Sequence, residues 1–138
     1  MKNTILIVSS IILVFTSWAS GQVLEKPEVM ILTTGGTIAS RNTGPSLEGH
    51  ALVQAVPQLI DYASITVEEI TRTGSSRITP QIWLHLGKRI NQIFSQDPKL
   101  SGIVVTHGTD TLEETAYYLN LVIKDDRPVV MVGSMRSS

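Results

Sequence analysis

The chain has 138 residues, 42% of them hydrophobic and 17% charged, with a formal net charge of −1. That is the composition of a folded domain of modest size, and it exerts no bulk electrostatic pull on nucleic acid or anionic lipid. There is no cysteine, which excludes disulfides, thiolate metal sites, a cysteine nucleophile and lipid attachment through an N-terminal cysteine.

The first segment has the layout of a secretory signal peptide. Lys2 supplies the positive start, Ile5 to Phe15 is an apolar run, and the small residues Ser17, Ala19, Ser20 and Gly21 come next. Cleavage is expected after Ala19 or Gly21, leaving 22–138 as one exported, periplasmic domain. The alternative, an uncleaved anchor, meets the objection that a membrane span needs about 20 apolar residues.

Beyond the leader, Val29-Met30-Ile31-Leu32 is a continuous apolar run that predicts a strand buried on both faces of a parallel sheet. Gly35-Gly36 ends it. Residues 41–49 read as a loop. Leu47, Leu52, Val53 and Val56 predict a short helix that Pro57 stops. The β-branched stretch Ile65–Ile70 predicts a second strand. Thr79 and Pro80 suit the N-cap and first position of a helix. In that helix Ile82, Trp83, Leu86, Ile90, Ile93 and Phe94 form the buried face until Asp97-Pro98. Gly102–Thr106 is the third predicted strand. Thr111 and Glu114 are spaced as a capping box for a helix with a buried face at Leu112, Thr115, Ala116, Leu119, Val122 and Ile123. Val129-Val130-Met131-Val132 predicts a fourth buried strand.

Strand–helix alternation predicts an α/β fold, a doubly wound, mostly parallel sheet of flavodoxin- or Rossmann-like type. A domain of this type would normally continue past Ser138, so the expectation is an incomplete N-terminal domain.

The polar residues cluster after the strands, where open parallel sheets bind ligands. Thr33-Thr34-Gly35-Gly36-Thr37 stands after the first, Thr73-Gly74-Ser75-Ser76 after the second, Thr106-His107-Gly108-Thr109-Asp110-Thr111 after the third and Gly133-Ser134-Met135-Arg136 after the fourth. Glycines let backbone N–H groups approach a ligand, and such groups stabilise a tetrahedral oxyanion. A threonine hydroxyl attacks a carbonyl once its proton is taken. A carboxylate such as Asp110 holds an ammonium group. Together these suggest hydrolysis of a small zwitterion. Hydroxyls are also common turn formers, so a purely local role stays open. A phosphate-binding reading of Gly35-Gly36 lacks the lysine of a P-loop and the spaced glycines of a dinucleotide site.

Ile31-Leu32-Thr33-Thr34-Gly35-Gly36-Thr37-Ile38-Ala39 and Gly102–Leu112 resemble the two signatures of the bacterial-type asparaginase/glutaminase family. Glu113–Leu119 and Pro128–Arg136 resemble the segments downstream of the second signature in that family. The resemblance runs from about Glu28 to Ser138 and implies the N-terminal part of a two-domain enzyme that hydrolyses L-asparagine, with L-glutamine as a second candidate substrate. It implies Thr37 as the nucleophile that forms an acyl-enzyme, Thr109 as a helper in activation and water attack, and Asp110 as the holder of the α-amino group. Ser75 would bind the α-carboxylate, Ser76 would lie beside the substrate, and backbone N–H groups near Gly36 and Thr109 would form the oxyanion hole. The family implies no cofactor, no metal, and a homo-oligomer with sites completed across subunits.

Three departures stand out. Ser76 replaces a glutamine that many members use on the substrate. No tyrosine lies between Thr37 and Tyr62, where the family's loop supplies one. The family's lysine beyond Asp110 has no counterpart. The expectation is that this chain alone is inactive within an active longer parent; a non-catalytic, amino-acid-binding or vestigial domain is the alternative. Of the other polar residues, His107 is expected to support its loop, His50 and His85 to lie on a surface, Glu113 and Glu114 to favour a helix start, and Trp83 to be core. Arg136 is left between anchoring its loop and binding an anion.

Overall fold

The computed structural model describes residues 25–35 and 49–134. The leader, Gly36, Thr37, Met135 and Arg136 lie outside the described residues. Four strands, β1 (Glu28–Thr33), β2 (Ser64–Glu69), β3 (Leu100–His107) and β4 (Val129–Gly133), form one sheet in the order β2-β1-β3-β4. Every neighbouring pair is parallel. The expected doubly wound sheet is therefore present, in the strand order of flavodoxin-like folds.

Alternation along the strands divides the core between two faces. On one, Leu32, Ile103 and Val105 pack against Leu86, Ile90, Ile93 and Phe94 of α3 (Pro80–Gln96) and Leu119 of α4 (Leu112–Val122), all buried. On the other, Ile31, Val104 and Thr106 face α1 (Gly49–Gln54) and α2 (Leu59–Tyr62) across an apolar cleft of about 380 Å³. Helix α2 is an addition to the sequence reading. Helix α1 ends at Gln54, ahead of Pro57 as expected, and the Pro57 carbonyl accepts from Ile60 N at 3.3 Å at the start of α2.

β1, β3 and β4 extend one or two residues beyond their predicted limits, whereas β2 starts one residue early and ends one residue short, at Glu69. β4 departs further: none of its residues is fully buried, and Val130 is 49% exposed. An apolar run does not show whether a strand is central or at an edge, and β4 has a neighbour on one side only among the described residues.

The helix caps divide in the same way. The Thr79 hydroxyl accepts from Ile82 N at 3.4 Å, as the N-cap of α3 should. Thr111 holds the N-cap position of α4, yet its side chain makes no cap hydrogen bond. Its hydroxyl donates instead to the carbonyl of Ser75, at 2.9 Å. The expected capping box is thus replaced by a bond to another loop.

Three polar clamps fix the helices to the sheet and to one another. Arg89 of α3 donates to both carboxylate oxygens of Glu68 on β2, at 2.6 and 2.7 Å, and this bidentate pairing holds Glu68 below the usual carboxylate range. Asn91 donates to the carbonyls of Gly87 and Val122 and accepts from Lys124 N, fastening the end of α4 to α3. Arg127 ties the start of β4 to the end of α3, with its guanidinium 4.3 Å above the Phe94 ring.

Candidate active site

The described residues after all four strands lie at the carboxyl edge of the sheet. The switch point of the strand order lies between β1 and β3, since the chain leaves β1 for β2 and returns past it to β3. Crevices at such points are where open α/β sheets bind ligands.

β1 and β3 are joined there by Thr34. Its N–H and its hydroxyl both donate to the Thr106 carbonyl, at 3.1 and 2.9 Å, and this double contact satisfies a side chain that is only 1% exposed. The loop after β2 joins through Thr73 N, which donates to the Thr34 carbonyl at 3.1 Å. Gly35 makes this approach possible. Its φ is +94°, and a Cβ there would lie 2.7 Å from Thr73 O and 2.9 Å from Thr73 N. Both the conformation and the space require glycine. β4 closes the group: a Cβ on Gly133 would come within 2.9 Å of Leu112 Cδ1 and 3.3 Å of Thr109 Cγ2.

Ser75 is the junction. It opens a 3₁₀ turn (Ser75–Arg77) and is 4% exposed. Its Oγ accepts from the backbone N–H of Asp110 at 3.1 Å, while its carbonyl accepts from Thr111 Oγ1 at 2.9 Å. The incoming N–H takes up acceptor capacity on Oγ and leaves its own O–H as a donor. A hydroxyl in that state suits an anionic group.

Of the predicted site residues, Ser75, Thr109 and Asp110 are brought together. Asp110 is exposed and Thr109 half-buried at the crevice, and Ser76 is exposed next to the buried Ser75. Gly36 and Thr37 come directly after Gly35 but lie outside the described residues. His85 is exposed on α3, and Glu113 and Glu114 are exposed in the first turn of α4. Tyr62 closes α2 and is 76% exposed. It precedes Ser64, which pairs with Glu28 at the opposite end of the sheet.

Behind the Thr109–Asp110 loop lies a second hydrogen-bonded group. His107 is completely buried, with Nδ1 2.6 Å from the Gly108 carbonyl and Nε2 3.0 Å from Thr115 Oγ1. Thr115 Oγ1 also lies 2.9 Å from the Thr111 carbonyl and accepts from Trp83 Nε1 at 2.8 Å. The expected loop support by His107 is thus visible. Trp83, expected as core, is only partly buried: it stacks on Tyr118 at 5.8 Å and spends its N–H on this group. The spacing of Thr111 and Thr115, one helical turn apart on one face, is the signal that would have pointed to it.

Among the described residues no cluster of three or more His, Cys, Asp or Glu side chains could hold a metal. No helix among them is long and apolar enough to cross a membrane.

The fold and this edge define an open, doubly wound α/β domain with a hydroxyl- and glycine-lined crevice. Residues 28–138 match the model of the asparaginase family, N-terminal part. L-asparaginase 2 of Bacillus subtilis (strain 168) is 45% identical over 132 residues, which cover 89% of this chain and 35% of that protein. The probable periplasmic L-asparaginase of Haemophilus influenzae is 42% identical over 120 residues, 81% of this chain and 34% of that one. Among solved structures, the probable cytoplasmic L-asparaginase from Campylobacter jejuni superposes with a TM-score of 0.76 at 48% identity, covering 82% of this chain and 36% of that one. The chain belongs to the asparaginase family and carries its N-terminal domain. It spans about a third of the length of these relatives.

Proposed function

We propose that the crevice at the β1–β3 switch point is the N-terminal part of an amidohydrolase site for L-asparagine. The observation that carries this reading is the bond between Ser75 Oγ and Asp110 N, at 3.1 Å. It sets a hydroxyl for an α-carboxylate beside a carboxylate for an α-ammonium group, the two handles of one amino acid. Thr37, two residues beyond Gly35, supplies the nucleophile. Its Oγ bonds to the side-chain amide carbon and loses its proton. The tetrahedral intermediate is held by backbone N–H groups near Gly36 and Thr109, and it collapses as the amide nitrogen gains a proton and leaves as ammonia. Water then cleaves the ester to release aspartate, with Thr109 assisting.

The test is ammonia release from L-asparagine by a full-length enzyme carrying this domain, with L-glutamine assayed alongside; release by purified residues 22–138 would refute the expected inactivity of this chain alone. Thr37→Ala is expected to lower acyl-enzyme formation by about three orders of magnitude or more; unchanged turnover would refute the role of Thr37. A second reading, an amino-acid-binding domain without turnover, is favoured by Tyr62, the first tyrosine after Thr37, which sits at the opposite end of the sheet. Calorimetric titration with aspartate separates the two, since binding without ammonia release supports the second reading. Export of the chain and assembly of several copies belong to the same proposal. They are checked by N-terminal sequencing of the periplasmic protein and by light scattering.

A further inference from the structure

The group behind the Thr109–Asp110 loop has one hydroxyl proton and two acceptors for it. Thr115 Oγ1 lies 3.0 Å from His107 Nε2 and 2.9 Å from the Thr111 carbonyl. The 2.6 Å separation of His107 Nδ1 from the Gly108 carbonyl decides between them. Two acceptors at that distance would repel, so Nδ1 carries the proton. A ring that also carried a proton on Nε2 would be a fully buried cation with no carboxylate among its hydrogen-bond partners, a costly arrangement. Nε2 is therefore a lone pair that needs a donor, and Thr115 Oγ1 is in place to be it. The Thr111 carbonyl is served independently by Thr115 N, at 3.2 Å. At the other side, Trp83 Nε1 donates to Thr115 Oγ1 at 2.8 Å.

We infer that Trp83 N–H, Thr115 O–H and His107 Nδ1–H form one directional chain that ends on the Gly108 carbonyl and so orients and polarises the Gly108–Thr109 peptide. The N–H of that same peptide belongs to Thr109, one of the donors proposed above for the oxyanion. The inference rests on that reading of the site. Bonds pointing the same way along a chain strengthen one another, by about 10–30% per bond. A carbonyl loaded in this way makes its own peptide N–H a stronger donor. It also fixes the peptide plane, and an oxyanion donor acts only when it points at the developing charge. Thr115 and Trp83 are thus positioning residues: they act on the reaction through His107 and the peptide, and neither touches the substrate.

The test is nuclear magnetic resonance on the 138-residue chain, with three variants. The histidine ring nitrogens should show His107 protonated on Nδ1 and bare on Nε2. Thr115→Val keeps the volume and removes the hydroxyl; it should move the Thr109 amide proton upfield. Thr115→Ser keeps the hydroxyl and removes the methyl; it should leave that resonance near its wild-type position. Trp83→Phe removes only the first donor and keeps a ring for Tyr118; it should give a smaller shift of the same sign, and it carries the test should Thr115→Val not fold. A packing role predicts the reverse, with Ser more disruptive than Val, and that order would overturn the inference. So would a His107 ring protonated on Nε2. Where ammonia release is measurable, Thr115→Val should lower kcat by about 3- to 10-fold with KM nearly unchanged, because the lost polarisation matters most in the transition state. Failure of the site reading looks different: the variant shifts appear in the expected order, yet aspartate leaves the Thr109 amide of the wild-type chain unmoved. That outcome overturns the oxyanion role and leaves the chain of bonds in place.

Discussion

Both ends of the sheet are held by polar networks, and the two are built on opposite principles. At the amino end, Arg127 donates to the carbonyls of Phe94, Asp97 and Leu100 and to both oxygens of Asp125. These five bonds use every donor that a guanidinium has, so nothing is left for a ligand. At the carboxyl end the groups are neutral hydroxyls and backbone amides, and capacity remains. Ser75 keeps a proton to give, Asp110 is exposed, and the buried hydroxyl of Thr106 has no hydrogen-bond partner among the described residues. A saturated network locks elements together; an unsaturated one at a crevice can receive a ligand. The amino end should therefore answer to perturbation in stability alone, and the carboxyl end in ligand binding as well.

The largest expected effect tests how tightly the carboxyl-end loops are joined. Gly35→Ala puts a side chain at φ +94° and a Cβ 2.7 Å from Thr73 O. The left-handed strain and the overpacking together should cost about 2–4 kcal/mol, measured by urea unfolding, and aspartate binding should be lost with it. A stable variant that binds normally would mean that the β1 and β2 loops are not coupled as described.

Next is Ser75→Ala. It removes one hydroxyl that donates to a charged group, worth about 1.5–3 kcal/mol, so the aspartate Kd should rise by about 10- to 100-fold. The unfolding midpoint should fall as well, because Asp110 N loses its acceptor. If stability falls while affinity holds, Ser75 is a structural joint like those of the amino end and the contrast fails.

A smaller effect separates two threonines that look alike in sequence. Thr79→Ala removes a working N-cap and should destabilise the chain by about 1 kcal/mol without altering aspartate affinity. Thr111→Val removes no cap bond, because the Thr111 hydroxyl serves the Ser75 carbonyl; its first effect should be on affinity. Equal losses of stability in calorimetric melts, with affinity intact, would restore the ordinary cap role to Thr111.

The smallest concerns pH at the amino end. Hydrogen bonds from Arg127, first from its side chain and then from its backbone, lower the Asp125 carboxyl from 3.8 to about 2. A folded-state value below the unfolded one means that the contribution is fully present above about pH 4 and is lost as the pH falls toward 2. Melts across that window should show Asp125→Asn with a shallower pH dependence than the wild type, and identical slopes would show that the pair adds nothing.

Much of this was legible in the chain itself. Strand–helix alternation led to the parallel sheet, and the resemblance of the two threonine-rich signatures led to the family. Period-3.6 spacing in α3 identified its buried face: Leu86, Ile90, Ile93 and Phe94 are all in the core. The signals at Thr79 and Pro80 located the start of that helix to the residue. Such features are local, fixed by a residue and its neighbours within a turn or two. The misreadings are all non-local. Val130 reads as core because apolarity does not reveal an edge position. Thr111 reads as a cap until Ser75, 36 residues away, offers its carbonyl.

The sequence by itself determined which residue types stand at the ends of which strands, and therefore the class of chemistry open to this protein. Tertiary structure decided their partners: Ser75 with Asp110, Thr34 with Thr106, and Trp83 with His107 through Thr115. A hydroxyl or an amide is satisfied by whatever donor or acceptor the fold brings within about 3 Å, and only the order of strands in the sheet determines what that will be.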